Sequence, residues 1–206
     1  MPKISAATVV EHRALIQARL VDAAEDILRS GEPQRLTAAA VSQAAGIARN
    51  SIYRYVDSVD DLLGMVLARH LPDWLAAVEA ELAPVEAPTE RIEVWLAANL
   101  RQAHATGHGW LMGLGRNAPP SEATARVMDT AHAVMRDALA TAWAELAADA
   151  ATADTAAGLT RGLLETGFRQ LEQGADLDLL IELTTAAARG LVAGLPARDP
   201  ATGLRG

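Results

Sequence analysis

The sequence predicts an all-α fold. Half of the 206 residues are apolar but only 3% are aromatic, and this composition favours long, closely packed helices. Apolar residues recur at spacings of three and four along most of the chain, and no alternation of strands with helices is indicated. The length permits one or two domains with a substantial core. We expect two, over residues 1–57 and 58–206.

The first predicted helix runs from about Thr8 to Ser30, after a short amino-terminal arm. Four apolar residues form one stripe along it, at the spacing that covers a neighbouring element. They are Ile16, Leu20, Ala24 and Ile27. Gly31 and Pro33 follow, and both residue types end helices.

Residues 36–62 predict a helix-turn-helix. Thr37 can cap a short helix with apolar residues at helical spacing. Gly46 ends that helix, because glycine readily takes the left-handed conformation of a helix terminus, and Ile47 then turns back toward the core. A second short helix is expected from about Arg49 to Val56, with Ile52 and Val56 on its inner side.

The other faces of this second helix carry side chains of the kinds that contact nucleic acid. They are Arg49, Asn50, Ser51, Tyr53, Arg54 and Tyr55. Arginine can bind guanine and asparagine can bind adenine through two hydrogen bonds each, while serine, tyrosine and arginine reach phosphates. Together with Thr37, these residues are the predicted DNA contacts.

Residues 13–67 resemble the TetR family of bacterial transcriptional regulators. The matching positions are Arg19 to Ala24, Ile27-Leu28, Gly31, Thr37, Ala44-Ala45-Gly46-Ile47, Ser51-Ile52-Tyr53-Arg54-Tyr55, Ser58, Asp60-Asp61 and Leu62-Leu63. The resemblance implies an amino-terminal DNA-binding domain of three helices. It also implies a carboxy-terminal helical domain that binds a ligand and dimerises, so that two copies bind a palindromic operator on double-stranded DNA.

Three residues depart from the family pattern. Ala48 stands where a capping serine or threonine is usual, so either Asn50 or Ser51 caps a shortened helix or the start is loose. Val56 replaces a phenylalanine with a smaller apolar side chain. Val59 replaces a lysine that commonly touches a phosphate, and this loss should weaken affinity and its salt dependence.

Further helices are predicted for the rest of the chain. Ser58 caps a connecting helix that runs to Leu82, with Pro72 expected to kink it or split it in two. A linker over residues 84–88 precedes a helix that opens at Thr89. Residues 107–116 are expected to be short or irregular, and a helix then follows from Ser121 to about Ala148. The last two helices are predicted at about 154–173 and 176–194, on either side of Gly174.

The last two helices carry apolar stripes that predict a homodimer interface. The interface residues are Leu159, Leu163, Gly167, Leu180, Thr184, Ala188 and Leu191. Small residues among them would let backbones approach closely. In a monomer, one stripe could instead face the core.

The large soft side chains of the second domain predict a pocket for an apolar or aromatic small molecule. The candidate ligand-binding residues are Trp95, Asn99, Trp110, Met112, Met128, His132, Met135, Glu165 and Phe168. Their alternative role is ordinary core packing. His104 and His108 have a spacing at which helical histidines can share a metal, but the glycines around them favour two solvated histidines at a helix end, so no metal or cofactor is predicted.

Charge and composition narrow the function further. The net charge is −8, yet residues 1–56 carry seven basic and five acidic side chains, so the amino-terminal domain is mildly basic and the remainder acidic. There is no cysteine, no phosphate-binding glycine loop and no hydrolase or metalloprotease motif, which argues against an enzyme. No apolar run is long enough to span a membrane and no signal peptide is recognisable, so we expect a cytoplasmic protein.

These observations predict a ligand-responsive transcriptional regulator, most simply a repressor that a small apolar or aromatic molecule releases from its operator. The alternative is an all-helical interaction protein with a degenerate helix-turn-helix that no longer binds DNA. In the regulator, the hydrogen-bond donors at residues 49–55 contact phosphates and bases. In the interaction protein, the same donors face solvent.

Overall fold

The computed structural model describes residues 6–30, 32–107 and 122–196. Within these ranges the chain is helical and contains no strand, so the predicted all-α class is confirmed. The α-helices are α1 (Ala6–Arg29), α2 (Ala38–Ala44), α3 (Asp60–Leu82), α4 (Pro88–Thr106), α5 (Glu122–Leu146), α6 (Ala150–Glu172) and α7 (Leu177–Ala193). Two short 3₁₀ helices span Pro33–Arg35 and Arg49–Arg54. None of the described helices is both long and apolar enough to cross a membrane.

The described residues divide into two compact units. The first, which we call the head, comprises residues up to Pro72 and the start of α5 to Thr130; the second, the body, comprises the described residues from Asp73 to Gly107 and from Ala131 onward. The division therefore falls inside α3, later than the predicted boundary after residue 57. Leu62 and Val66, in the first half of α3, are fully buried and group with the head.

The core of the head is built on the predicted stripe of α1. Ile16, Leu20 and Ala24 are buried, and Ile27 is half-buried. α1 packs on α2, and α2 packs on the 3₁₀ helix at Arg49–Arg54. The first helix thus covers the helix-turn-helix, as its apolar spacing predicts.

α3 begins with a reciprocal cap. The Ser58 N–H donates to Oδ2 of Asp61 at 2.8 Å, and the Asp61 N–H donates to Oγ of Ser58 at 3.1 Å, which satisfies two N–H groups at the helix start.

Pro72 lies inside the helix, and α3 continues past it to Leu82. Of the two predicted effects of Pro72, the splitting of the helix is therefore wrong, and the kink stays a prediction. Pro72 is exposed to solvent.

α4 is the central helix of the body. Ile92, Leu96 and Leu100 are essentially inaccessible to solvent, and α4 packs against both α6 and α7. Pro88 occupies the first turn, where its missing N–H costs nothing. Gly107 ends the helix with a φ of 62°, a left-handed conformation that glycine adopts without strain.

Aspartates cap the last two helices. The side chain of Asp149 accepts a hydrogen bond from the Thr152 N–H at 2.8 Å, and that of Asp176 accepts one from the Leu179 N–H at 2.9 Å. These caps start α6 and α7 near the predicted positions, because aspartate satisfies exposed N–H groups and suits the positive end of the helix dipole.

The buried tryptophan side chains of the body have hydrogen-bond partners for their indole N–H groups. The Trp74 indole N–H donates to Oδ1 of Asn99 at 2.9 Å, and Nδ2 of Asn99 donates to the carbonyl of Trp95 at 2.8 Å. The Trp143 indole donates to the hydroxyl of Thr160 at 3.1 Å. Buried polar groups need such partners, since each unpaired one costs about 1–3 kcal/mol.

We expect Asn99→Ala to lower the free energy of unfolding by about 2–4 kcal/mol, because it removes the acceptor of the buried Trp74 indole and leaves a small cavity. Arg101→Ala is the matched control on the same helix. Its side chain is exposed and pairs with Glu81, so its loss should cost less than about 1 kcal/mol. Urea denaturation measures both, and equal costs would contradict the structural role of Asn99.

Candidate nucleic-acid interface and effector cavity

The helix-turn-helix corner has the geometry that its residues predict. The Thr37 hydroxyl accepts a hydrogen bond from the Ala40 N–H at 3.2 Å and so caps α2. At the other end, the Gly46 N–H donates to the carbonyl of Gln43 and the Ile47 N–H to the carbonyl of Ser42. This pair of bonds is a Schellman motif, and it requires the positive φ of 67° at Gly46.

The second short helix of the motif is a 3₁₀ helix over Arg49–Arg54, two residues shorter than the predicted range to about Val56. Ala48 stands at its amino-terminal cap and supplies no side-chain hydrogen bond. The Ser51 N–H donates to the carbonyl of Ala48 at 2.8 Å, which closes a turn of three residues instead of four. The missing serine or threonine thus coincides with a tighter and shorter helix.

We call Arg49–Tyr55 the recognition segment. Its inner side is anchored by Ile52, which is fully buried, and Val56 lies buried just beyond it. Arg49, Asn50, Tyr53 and Arg54 are exposed, whereas Ser51 and Tyr55 are half-buried. The predicted DNA contacts therefore lie outside an apolar anchor, as a DNA-contacting surface requires.

The two arginines of the recognition segment are not engaged elsewhere. Within the described residues, Arg49 and Arg54 form no ion pair with a carboxylate. The hydroxyl of Thr37, although exposed, already accepts a bond from α2 and keeps only its donor function for a phosphate. The guanidinium groups are thus available to an external anion.

A cleft of about 360 Å³ lies beside the recognition segment. Tyr53, Arg54 and Tyr55 form part of its wall, and α1 and α3 supply Arg13 and Met65. Nε2 of Gln17 reaches toward the carbonyl of Tyr55 at 3.5 Å in the same region. The tyrosines therefore belong to both the outer surface and an internal cleft of the head.

A buried carboxylate joins α1 to α3 within the head. Glu25 accepts hydrogen bonds from Arg29 at 2.8 Å and from Arg69 at 3.1 Å, and its Oε2 lies 2.9 Å from Nε2 of His70. Arg69 also pairs with Asp22 at 2.7 Å. Burial alone would raise the pKa of Glu25, but the hydrogen bonds and charges of His70 and Arg29 outweigh it and lower the pKa to about 2. Nothing in the sequence pattern singles out this cluster.

The body contains an apolar cavity of about 270 Å³. Its wall is made by the second half of α3 with the turn that follows, by α4 and by α5. The lining residues are Leu75, Val78, Glu79, Leu82, Ala83, Arg91, Trp95, Met135 and Ala138. Of the predicted ligand-binding residues, Trp95 and Met135 lie here, and the indole of Trp95 donates to the carbonyl of Met135 at 3.2 Å.

Other predicted ligand-binding residues have different positions. Asn99 bonds Trp74 and Trp95 in the core, and the ring of Phe168 meets that of Trp74 edge to face at 6.0 Å. Glu165 is exposed on α6. None of these three lines the cavity.

Several expectations fall outside the described structure. Trp110, Met112 and His108 lie beyond the described residues, as do the side chains of Met128 and His132. His104 is exposed near the end of α4. No group of three potential metal-ligating side chains comes together among the described residues.

The predicted dimer residues divide into an exposed and a buried set. Leu159 is 53% exposed, and Leu163, Leu180 and Leu191 are half-buried. By contrast, Gly167, Thr184 and Ala188 are buried within the chain. A Cβ at Gly167 would lie 2.7 Å from Leu100, so the close approach permitted by this glycine occurs inside the protomer, and its place in a dimer interface stays a prediction.

The exposed apolar surface includes two leucines that the stripes did not single out. Leu179 and Leu183 on α7 are 51% and 58% exposed. They lie four residues apart and therefore share one face of α7. With Leu159 of α6 they define what we call the leucine patch. The sequence signal, a leucine spacing of four, was present but was offset from the predicted stripe.

Comparisons with known proteins concern the fold. Neither a protein-family model nor a curated protein sequence matches the chain. A TetR-like transcriptional regulator from Rhodococcus sp. RHA1 has a TM-score of 0.67 at 18% identity, over 88% of this chain and 97% of that one. RolR in complex with resorcinol has a TM-score of 0.54 at 19% identity, over 92% of this chain and 99% of that one.

A third solved structure, named superantigen pfit, has a TM-score of 0.57 at 20% identity, and the match covers 90% of this chain and 89% of that one. Proteins with different printed names thus share this helical arrangement. A shared fold does not fix a function, so the residues of the recognition segment and of the cavity are the guide to what this chain does.

We expect Glu25→Gln to lower the free energy of unfolding at pH 7 by roughly 1–3 kcal/mol, less than the full pKa shift implies because the surrounding cations are partly in water. A folded-state pKa of about 2, below the ordinary 4.5, means that the carboxylate stabilises the fold above pH 4.5. That stabilisation is lost as the pH falls toward 2. Stability measured against pH should show the difference between wild type and variant shrinking over this window.

Asp26→Asn is the matched control, because Asp26 is the exposed neighbour of Glu25 and the substitution removes the same charge. It should change stability by less than about 0.5 kcal/mol. If both substitutions behave alike, the cluster around Glu25 does not hold α1 to α3.

Proposed function

We propose that this chain, which has the fold of TetR-like transcriptional regulators, is a DNA-binding transcriptional regulator that responds to a small molecule. The observation that supports it most directly is the recognition segment, where exposed Arg49, Asn50, Tyr53 and Arg54 surround a buried Ile52 behind a glycine corner. Such a regulator acts on DNA in the cytoplasm of a bacterial cell, and the proposal assigns it no catalysis and no cofactor.

Within this proposal the residues divide between bases and phosphates. Arg49 and Asn50, at the start of the segment, enter the major groove and bind base edges. The groups that hold the phosphate backbone are Thr37, Ser51, Tyr53, Arg54 and Tyr55. Phosphate contacts position the protein and give most of the salt dependence, whereas base contacts distinguish sequences.

A homodimer places two heads on one operator. Two recognition segments about 34–36 Å apart meet successive major grooves on the same side of the duplex. The leucine patch supports the choice of α6 and α7 as the interface, because these two helices together present three exposed leucines, more apolar surface than a single exposed leucine offers. Residues 1–56 are only mildly basic, with seven basic and five acidic side chains, so two copies are needed for useful affinity.

The effector binds in the body and releases the operator. α3 begins in the head, where Ser58 caps it, and its second half supplies Leu75 and Val78 to the cavity wall. A ligand that prefers the arrangement of α3 with poor operator affinity shifts the population toward it, and a tenfold release needs about 1.4 kcal/mol of coupling. RolR, of similar fold, was solved with the aromatic molecule resorcinol, which supports an aromatic or apolar effector.

A second candidate function is an all-helical interaction protein that has lost DNA binding. The uncapped 3₁₀ recognition segment favours it, because Ala48 leaves the start of the segment without a side-chain bond. The same footprint that tests the first function separates the two.

In a footprint on the DNA flanking its own gene, we expect the protein to protect a symmetric site at low salt and to lose it at high salt. Arg49→Ala should weaken binding to that site by about 1–3 kcal/mol while changing non-specific binding much less, because a base contact discriminates between sequences. Tyr53→Ala should instead weaken binding to all sequences. The control Arg101→Ala removes an equal charge from the body and should leave the footprint unchanged.

A folded protein that binds no DNA at low salt would exclude the regulator and favour the interaction protein. Circular dichroism of each variant establishes that it is folded. An equal loss on specific and non-specific DNA for Arg49→Ala would reassign that residue to a phosphate.

We expect Leu183→Arg to convert the dimer to a monomer in sedimentation velocity experiments, because a charge would be buried without a partner in the interface. Leu15→Arg is the control, since Leu15 is equally exposed, at 59%, but lies on α1 of the head. A dimer that survives Leu183→Arg would place the interface elsewhere.

A further inference from the structure

We propose that the body cavity binds a small apolar molecule carrying one negative charge, such as a medium-chain carboxylate, and that Arg91 binds the anionic group. This inference rests on the proposed function, because it names the chemical class of the effector. It is carried by the lining of the cavity and by the state of Arg91.

The lining fixes the apolar part of the ligand. Leu75, Val78 and Leu82 from α3 line the cavity together with Trp95 and Met135, and Met adapts to irregular apolar shapes. The volume of about 270 Å³ is just below the range of most small-molecule pockets, roughly 300–1,000 Å³. The space suits a short alkyl chain or a single ring rather than a long lipid.

Arg91 supplies a cation that is already oriented. Its Nη1 donates to the carbonyl of Val85 at 3.0 Å, and the side chain is half-buried. Arginine has five N–H donors, and this bond uses one of them. The remaining donors can form the paired hydrogen bonds that a carboxylate accepts in a single plane.

Arg91 also differs from the arginines that pair within the chain. Arg29, Arg69 and Arg101 each have a carboxylate partner. Across the described part of the chain, no carboxylate lies within ion-pair distance of Arg91. A half-buried guanidinium at the edge of an apolar cavity is therefore left without a counter-charge, and a ligand carboxylate would supply it.

Glu79 is the other charged residue of the cavity lining, so its exposure bears on whether the cavity prefers an anionic or a cationic ligand. Glu79 is exposed, so water screens its charge, whereas the charge of half-buried Arg91 is screened less. Of the two charges that line the cavity, the less screened one is therefore positive, and it favours an anion. Glu79 also provides an internal test, because its neutralisation should strengthen anion binding, whereas a cation site would be weakened by the same change.

The test is isothermal titration of the full-length protein, without DNA, with octanoate, octanol and octylamine. These probes share one alkyl chain and differ in the charge of the head group. We expect octanoate to bind most tightly. Arg91→Gln should weaken the binding of octanoate about 10- to 100-fold, as expected for loss of hydrogen bonds to a charged group, and leave the affinity for octanol unchanged.

Two further variants make the result specific. Glu79→Gln should tighten the binding of octanoate by about two- to fivefold, because it removes the screened repulsion between the Glu79 carboxylate and that of the ligand. Arg101→Gln lies on the same helix outside the cavity and removes the same charge as Arg91→Gln, so it should leave all three affinities unchanged. Thermal unfolding of each variant shows that it is folded.

Three results would overturn the inference: no binding of octanoate, equal binding of octanoate and octanol with no effect of Arg91→Gln, or tightest binding of octylamine with a loss on Glu79→Gln. The inference and the proposed function fail separately. If octanoate binds through Arg91 but does not release the protein from a protected DNA site, the anion site stands and octanoate is not the effector. If the protein protects no DNA site, the proposed function fails, but the titration can still give the expected result.

Discussion

The two hydrogen bonds of Asn99 are the constraint on which the body depends. The amide is fully buried, so it must be bonded, and its partners Trp74 and Trp95 belong to α3 and α4. The bond to Trp74 joins α3 to α4 directly beside Leu75 and one turn before Val78, both of which line the cavity. The shape of the cavity therefore follows from a polar contact in the core and not from its apolar lining alone.

The head could be predicted from the sequence because its signals are local. The cap at Thr37, the left-handed Gly46 and the buried Ile52 each depend on neighbours within a few residues, and each is present in the structure. The exception is also local. Ala48 lacks a capping side chain, and the segment that follows winds as a 3₁₀ helix instead of an α-helix. The DNA contacts assigned to this segment remain predictions.

The body was less predictable because its helices are apolar on more than one side. Trp95 and Met135 line the cavity as expected, but Asn99 and Phe168 turn into the core, and Val78 and Arg91 were not foreseen. Spacing identifies which residues share a face and leaves open what that face meets. The choice is made by contacts between helices far apart in sequence, such as the one between Trp74 and Phe168.

Gly167 and Leu100 illustrate how such contacts limit the evolution of the chain. The side chain of Leu100, fully buried on α4, occupies the space that a Cβ on residue 167 would need. Because both positions are enclosed, neither can change size alone without repacking. A larger side chain at 167 therefore requires Leu100 to move or to be replaced by a smaller residue, so the sizes of the two positions are coupled although they lie on different helices.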